Sequence, residues 1–280
     1  MINSSLVKNI NNHLSPTLIM GIVNVTPDSF SDGGKYYNLD KAIEYSLELV
    51  KQGVDIIDVG GESTRPGANA ISFDEEIERV IPVIKGIRSV SSIPISIDTY
   101  KSEVAKEALD SGADIVNDIS GLNFDSKMIS VIKDYNVPIV IMHIKGTPKN
   151  MQLNPEYDNI IDEIMSYFEK QINLCLDYGI PKSHIILDPG IGFGKQLNDN
   201  FILIRELNTF ADLGYPILIG PSRKSFIGLT LDLQVDERLE GTAAAITASI
   251  INGARIVRVH DVLEMKRVQI ISDKIRGATA

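Results

Sequence analysis

Eight short apolar runs recur along the 280-residue chain, and segments with helical spacing separate them. The first run, residues 18–23, is almost continuously apolar, as expected for a strand that is covered on both faces. The other runs begin near residues 54, 94, 114, 138, 184, 216 and 255. Because no two runs are joined by a short hairpin turn, the strands should be parallel with helical crossovers. The pattern predicts the α/β class, with one (β/α)8 TIM barrel as a single domain.

Helices are predicted between the strands, over about residues 40–52, 72–89, 102–111, 126–135, 155–178, 200–213 and 236–252, with a last one that ends near 276. Residues 1–16 are polar and rich in Asn, and we interpret them as a poorly ordered or peripheral N-terminal arm before a barrel domain at 17–280. A doubly wound open sheet is the alternative fold. Such a sheet usually carries a phosphate-binding glycine motif after its first strand, whereas the glycine-rich run here, residues 190–194, comes late.

Composition restricts the partners. Hydrophobic residues make up 44% of the chain and charged residues 23%, which is ordinary for a soluble globular protein. The formal charge of −10 argues against a nucleic-acid surface, although a few local cations would still suffice for an anionic small molecule. The single cysteine, Cys175, excludes an intrachain disulfide and fits a reducing compartment. Since no signal peptide or membrane-spanning run is recognisable, we expect a cytoplasmic protein without a membrane partner.

Polar or charged residues stand at the predicted carboxyl end of every strand. They are Asn24, residues 62–65, Asp98, Asn117, His143, Asp188, Lys224, and Arg258 with His260. Any one of them is explained as a cap or as an ordinary loop residue. A barrel built only for stability would not need all of them, and barrel enzymes assemble their sites at this end. The set therefore predicts an active site.

Four of these residues offer donors and acceptors to a flat polar heterocycle. Asp98 and Asp188 are carboxylates, Asn117 is an amide and Lys224 is an ammonium group. Carboxylates suit a guanidine-like edge, because such an edge presents paired N–H donors.

A second group suits an anion such as a phosphate or a diphosphate. Arg65, Arg258 and His260 are read as cations, and Ser63 and Thr64 add hydroxyl groups. In a closed barrel the first, second and eighth strands are neighbours, so these residues should cluster on one side. Asn24 lies among them and offers an oxygen to Mg²⁺, which prefers oxygen ligands and often binds with substrate phosphates. No zinc-ligand spacing occurs in the sequence.

The loop after the first strand has two interpretations. It is polar, is bounded by Pro27 and a Gly-Gly pair, and carries Phe30 and Asp32 near its middle. It is either an ordinary solvated connection or a mobile active-site loop.

Seven motifs, in order and each at a predicted strand end, together resemble those of the dihydropteroate synthases. They lie at residues 24–34, 60–67, 97–99, 116–118, 188–195, 222–225 and 257–260. The resemblance covers about residues 18–276. It implies a TIM barrel that joins 6-hydroxymethyl-7,8-dihydropterin diphosphate to p-aminobenzoate, giving 7,8-dihydropteroate and diphosphate, a step of folate biosynthesis. It also implies Mg²⁺ as cofactor, competition by sulfonamides for the p-aminobenzoate pocket, and a homodimer formed through the late helices.

The resemblance also implies residue roles. The pterin would be held by Asp98, Asn117, Asp188 and Lys224, and the diphosphate and Mg²⁺ by Asn24, Thr64, Arg65, Arg258 and His260. Val259 falls within the last motif and is counted with the substrate-binding residues. Thr64, Pro66, Phe193 and Ser225 would line the p-aminobenzoate pocket, and two mobile loops would carry Phe30 with Asp32, and Arg65. The catalytic residues would be Asp98, Lys224, Arg258 and His260, in an SN1-like reaction in which diphosphate leaves before the amine attacks.

Two alternative functions stay open at this point. A pterin-binding methyltransferase domain would share the barrel and the pterin contacts but pass on a methyl group. A catalytically inactive barrel would act as a binding partner of another folate enzyme.

Overall fold

Eight parallel strands close into a barrel in the computed structural model, which describes residues 4–26 and 35–278. Neighbouring strands pair in sequence order, and the last strand pairs with the first. The (β/α)8 TIM barrel predicted from the sequence is therefore confirmed, and the open sheet is excluded. The strands are β1 (Leu18–Asn24), β2 (Ile56–Gly60), β3 (Ile95–Asp98), β4 (Ile115–Asp118), β5 (Ile139–Met142), β6 (Ile185–Asp188), β7 (Ile217–Ile219) and β8 (Ala254–Val259).

The helices surround the barrel. They are α1 (Ser4–Asn11), α2 (Lys35–Lys51), α3 (Phe73–Val90), α4 (Ser102–Asp110), α5 (Met128–Tyr135), α6 (Ile160–Asp177), α7 (Leu197–Arg205), α8 (Leu207–Ala211), α9 (Ser225–Leu231), α10 (Leu239–Ile251) and α11 (Val262–Arg276). The helix predicted from 155 begins later, because Asn159 caps it by accepting from the N–H groups of Ile161 and Asp162. The helix predicted over 200–213 is two helices, α7 and α8, and α9 was not predicted.

Alternate residues of each strand face opposite sides of the barrel wall. Met20, Ile56, Ile115, Ile186 and Ile256 pack together inside the barrel, in what we call the interior cluster. The residues between them pack outward against the helices, in the larger outer cluster. Both faces of every strand are thus covered, which explains the nearly continuous apolar runs.

The N-terminal end of the barrel is closed by α1. Leu6 and Ile10 are four residues apart, so they lie on one face of the helix, and both belong to the interior cluster. Arg255, which is 1% exposed, donates from Nη1 to the carbonyl of Ser15 at 2.6 Å and from Nη2 to that of Asn9 at 3.1 Å. In its described part, the segment forms a helix that packs on the barrel. The boundary at residue 16 stays a prediction.

Across the described residues, none of the helices combines the length and the apolar character needed to cross a membrane.

Candidate active site

The polar residues of the site have the same inward orientation as the interior cluster. Asp58, Asn117, Asp188 and Arg258 each follow an interior-cluster residue by two positions, at the carboxyl side of the strand. They therefore form the next layer above the apolar interior. The sequence pattern and the barrel geometry agree on where the site lies.

The register of strands β1 to β4 places their carboxyl-terminal residues side by side at the mouth of the barrel. Asn24 pairs with Gly60, Gly60 with Asp98, and Asp98 with Asn117. Gly60 has no side chain, and a Cβ placed there would lie 3.4 Å from the Cβ of Asp98. The absence of a side chain leaves room beside the Asp98 carboxylate at the barrel mouth.

Arg258 lies at the centre of the mouth in a hydrogen-bonded group with the carboxylates of Asp58 and Asp98 and the amide of Asn117. Its Nε donates to Oδ2 of Asp58 at 2.6 Å, and its Nη2 donates to Oδ2 of Asp98 at 2.7 Å. Nδ2 of Asn117 also donates to Oδ2 of Asp58, at 3.3 Å. Arg258, assigned from the sequence to the anion group, is thus held among residues assigned to the heterocycle.

Asp58 was missed by the sequence reasoning. Its residue is fully buried, and its Oδ1 has no hydrogen-bond partner among the described residues. A buried oxygen of this kind is costly unless something pairs with it. The available signal was an acidic residue at an inward position of an otherwise apolar strand.

Burial raises the pKa values of two carboxyl groups in the mouth. For Asp98 the pKa rises to about 7, since Asp58 and Glu76 add to the effect of burial while Arg258 opposes it. For Asp188 it rises to about 6, with the Gly190 N–H and Lys224 opposing burial. Carboxyl groups with pKa values moved toward neutrality are characteristic of functional sites.

Lys224 completes the group of charges. Burial and the neighbouring Arg258 together lower its pKa to about 8, against the opposing effect of Asp188 and Asp98. Its Nζ lies 4.0 Å from the centre of the Phe193 ring, within the range of a cation–π contact. Asp98, Asn117, Asp188, Lys224 and Phe193 are therefore brought to the same mouth, as the sequence predicts.

The glycine-rich segment after β6 folds tightly against the loop after β5. Gly190, Gly192 and Gly194 all have positive φ, which other residues rarely adopt. A Cβ at Gly190 would lie 2.0 Å from the carbonyl oxygen of His143, so no side chain fits there. The segment is a turn that carries Phe193 into the mouth, which is consistent with its not being a dinucleotide-binding motif.

His260 lies beside Ser222 at the end of β8, with its Nδ1 3.1 Å from the Ser222 Oγ. Burial lowers the pKa of His260 to about 4, and Arg258 and Arg223 add to this effect. From the sequence alone, His260 is expected to be a cation. In the ligand-free site its lowered pKa favours the neutral imidazole, which offers a hydrogen bond rather than a charge.

The loop after β2 is fixed at its base and exposed at its tip. The Glu62 carboxylate accepts from the Tyr100 hydroxyl at 2.6 Å, from Lys101 at 2.6 Å and from the backbone N–H of Ile71 at 2.9 Å. Thr64 is half-buried, whereas Arg65 and Pro66 are exposed. Tyr100 and Lys101 were not identified from the sequence, since only the fold shows which carboxylate they meet.

The remaining candidates are placed as follows. Asn24 is half-buried at the end of β1, and Ser225 is exposed at the first residue of α9. Val259 is fully buried in the outer cluster, so its side chain faces the helices and only its backbone is available to a ligand. Phe30 and Asp32 lie outside the described residues. Among the residues that are described, no group of three or more His, Cys, Asp and Glu could hold a metal ion.

A family model described as "Pterin binding enzyme" matches residues 20–260. The chain is 49% identical to a dihydropteroate synthase of Synechocystis over 261 residues, covering 92% of this chain and 90% of that protein. It is also 49% identical to a dihydropteroate synthase of Bacillus subtilis over 257 residues, covering 92% and 88% respectively.

Solved structures give the same result. A dihydropteroate synthase from Clostridium difficile, crystallised with pteroic acid, superposes with a TM-score of 0.88 at 49% identity, covering 93% of this chain and 97% of that one. A Yersinia pestis synthase in a sulfonamide complex gives 0.89 at 40% identity, covering 95% and 96%. A Xanthomonas albilineans synthase with 4-aminobenzoic acid gives 0.89 at 38% identity, covering 95% of each chain.

Proposed function

The chain belongs to the pterin-binding enzyme family and, within it, to the dihydropteroate synthases, and we propose that its barrel mouth holds the pterin deep, beside Asp98 and Asp188, with the diphosphate nearer the rim. These synthases are transferases of folate biosynthesis. The observation that supports this arrangement of pterin and diphosphate is the position of the Arg258 guanidinium, which donates to Asp58 and Asp98 at the centre of the mouth. The methyltransferase alternative is set aside, and the inactive-barrel alternative is addressed by the assay below.

The pterin ring is assigned to the buried polar layer. Its N–H groups meet the carboxylates of Asp98 and Asp188, its ring acceptors meet Asn117 and Lys224, and the unpaired Oδ1 of Asp58 is available to a further donor. The pteroic acid in the Clostridium difficile crystal carries such a ring, which supports a pterin at this place.

The reaction proceeds by departure of diphosphate before attack. The bond between the pterin methylene carbon and the diphosphate oxygen breaks, and its electron pair leaves with the diphosphate. Asp98 and Asp188 stabilise the positive charge left on the pterin, while Arg258 and a hydrogen bond from His260 stabilise the departing anion. The amine nitrogen of p-aminobenzoate then bonds to the methylene carbon and loses a proton. No side chain acts as a nucleophile.

A divalent metal, Mg²⁺ by the preference of oxygen ligands, fits this site only together with the substrate. The described residues supply no cluster of metal-binding acids, so Asn24 would be one oxygen ligand and the diphosphate would contribute others. When bound, the metal supplies positive charge that neutralises the leaving diphosphate. Thr64 and Arg65 stand on the loop above the same side and are assigned to the diphosphate.

The p-aminobenzoate is assigned to the outer part of the mouth, between Phe193, Thr64, Pro66 and Ser225. Complexes of related synthases with 4-aminobenzoic acid and with a sulfonamide support a pocket for an arylamine here. The exposed loop that carries Arg65 and Pro66 covers the pocket and excludes water, which competes with the amine for the cation. Phe30 and Asp32, on the other loop, are assigned the same function.

We also propose a cytoplasmic homodimer that assembles through the late helices. An apolar surface cleft of about 450 Å³ lies on α7, α9 and α10, lined by Phe201, Phe226, Leu231 and Ala248 among others. Phe201 and Leu231, which both line this cleft, are exposed large apolar residues. Such a face supports association with a second copy.

The central experiment measures diphosphate release. Release that requires both p-aminobenzoate and the pterin diphosphate, with 7,8-dihydropteroate formed in equal amount, is the expected result. Release that is independent of p-aminobenzoate would show hydrolysis instead of transfer, and absence of release would favour the inactive binding partner.

A further inference from the structure

Lys195 is a buried lysine that the mechanism above does not use. Only 3% of the residue is exposed. Its Nζ lies 2.9 Å from the carbonyl oxygen of Phe193, 3.1 Å from that of His143 and 2.9 Å from Nδ1 of the His143 ring. An ammonium group has three N–H donors, so these three acceptors satisfy it fully. None of the three is a carboxylate, which distinguishes Lys195 from an ordinary buried ion pair.

The contact of Lys195 with the Phe193 carbonyl restrains this part of the backbone, because the two neighbouring residues are glycines and have wide conformational freedom. Phe193 stands between Gly192 and Gly194, which both have positive φ. Other contacts hold those glycines: the Gln152 amide donates to the Gly192 carbonyl, and the Tyr157 hydroxyl donates to the Gly194 carbonyl. Lys195 is the residue whose side chain holds the carbonyl of Phe193 itself. The Phe193 ring in turn lies 4.0 Å from Nζ of Lys224.

Resting on the function proposed above, we propose that Lys195 is a positioning residue for the arylamine substrate. By holding the Phe193 and His143 carbonyls together, it joins the loops after β5 and β6 and fixes the Phe193 ring as a wall of the p-aminobenzoate pocket. Lys195 itself is buried beneath that wall and touches no reacting atom. Asp188 interacts electrostatically with Lys195 and also with Lys224, so it keeps a cationic partner when Lys195 is lost, and we expect the arylamine to be affected more than the pterin.

The charge state of Lys195 is coupled to the tautomer of His143. Burial lowers the pKa of Lys195 to about 7; Asp188 and Asp199 oppose this, while Lys224 and Lys145 add to it. A protonated Lys195 needs Nδ1 of His143 as an acceptor. A neutral amine has only two N–H donors and a lone pair, so Nδ1 must then carry a proton and donate it. The imidazole stays neutral in both states, because burial and Lys195 lower the pKa of His143.

The test uses Lys195→Met, which keeps the length of the side chain and removes its donors. We expect KM for p-aminobenzoate to rise about tenfold or more, with the Kd for pterin measured by calorimetry changing less than about threefold. Lys195→Gln keeps a neutral donor group with two N–H donors but loses the charge and some length, and it should fall between wild type and Lys195→Met. Lys182→Met is the matched control, because Lys182 lies before β6, at the other end of that strand, and contacts the Tyr215 ring; it should change neither constant more than about twofold.

An unchanged KM in folded Lys195→Met would overturn the inference, and so would equal losses for both substrates. If neither Lys195 variant folds, the wild-type protein supplies the answer through nitrogen NMR of its four histidines. His143 should stay neutral and move its proton between ring nitrogens near pH 7. Ordinary titration near the free-histidine pKa of about 6.5 would overturn the inference. Wild-type protein that releases no diphosphate would count against the proposed function, whereas the NMR result stands independently of it.

Discussion

The two ends of the barrel use the same residue type in opposite ways. Arg255 and Arg258 stand three residues apart on β8. At the closed N-terminal end, Arg255 donates to the backbone carbonyls of Ser15 and Asn9. At the open mouth, Arg258 donates to the carboxylates of Asp58 and Asp98. Backbone carbonyls are fixed and neutral, whereas carboxylates titrate and are themselves ligands, so one arginine fastens the chain and the other belongs to a binding site.

The electrostatic environments of the two arginines differ accordingly. Burial and the neighbouring Arg276 together lower the pKa of Arg255 to about 10, although Asp273 opposes them. Burial acts in the same direction on Arg258, but Asp58 and Asp98 outweigh it and raise its pKa above the ordinary value. The mouth therefore concentrates charges of both signs above an apolar interior. At the closed end, the buried Arg255 holds the N-terminal segment. In barrels of this kind, the amino ends of the strands generally serve stability and the carboxyl ends serve function.

Arg258→Met should have the largest effect on catalysis. It removes an anion-stabilising group and leaves the buried Asp58 without its cation, so we expect turnover to fall about 10²- to 10³-fold. Binding of the bare pterin should weaken much less. Single-turnover kinetics and pterin calorimetry on the same preparation measure the two effects, and equal losses would remove the anion role.

Arg255→Met is the matched control on the same strand. It leaves buried carbonyls without a donor, so the free energy of unfolding should fall by about 2–4 kcal/mol. At a temperature where the variant is folded, its kcat/KM should stay within about twofold of wild type, since stability and catalysis are separated by strand end. Loss of activity in the folded variant would contradict the contrast between the two ends.

Lys224→Met should weaken pterin binding by about 10- to 100-fold, because a charged hydrogen bond contributes about 1.5–3 kcal/mol. Calorimetry with a pterin lacking the diphosphate measures this directly. Lys266→Met is the comparison: Lys266 pairs with Asp55 at 2.9 Å on the outer side of the barrel, so its loss should leave pterin affinity unchanged. Unchanged affinity in Lys224→Met would remove Lys224 from the pterin site.

Asp188→Asn should alter the pH dependence of the mouth. The pKa of Asp188 is raised to about 6, so its carboxylate is lost as the pH falls through 6. The ratio of wild-type to variant pterin affinity should therefore fall about tenfold between pH 7 and pH 5. A constant ratio would show that the carboxylate form is not what binds.

The same raised pKa of Asp188 predicts that the free energy of unfolding changes with pH in the opposite direction to pterin affinity. Between about pH 4 and pH 6 the native state holds a proton on Asp188 that the unfolded chain has lost. The stability of the wild type relative to Asp188→Asn should therefore decrease as the pH rises through this window. Thermal melts of both proteins at matched pH values measure the difference.

Ile10→Ala should have the smallest effect on catalysis. Ile10 is 1% exposed within the interior cluster, so truncation should lower the free energy of unfolding by about 2–4 kcal/mol. The pterin Kd and turnover of the folded protein should not change. Chemical denaturation measures the free energy of unfolding, and the diphosphate assay measures turnover. A catalytic defect in the folded variant would mean that the packing of the closed end affects the active site.

Much of the site could be predicted because strand ends are readable in the sequence. Asp98, Asn117 and Asp188 each end an apolar run, and the barrel brings them to one rim. Asp58 lies inside its run, where an acid among apolar residues is a signal, but only the barrel shows that its side chain faces inward. The lowered pKa of His260 is likewise a property of the folded mouth, because it arises from burial beside Arg258 and Arg223.

The number and order of the strands can be predicted from the chain because apolar runs and helical spacing are local patterns, and the family can be recognised because each motif is a short contiguous segment. The pairing of Arg258 with Asp58 and Asp98, the closure of the barrel by α1 and the contact of Lys195 with Phe193 are seen only in the folded protein. Such contacts join residues far apart in the chain. Closure of the barrel sets the distances between them, and burial sets the strength of their charges.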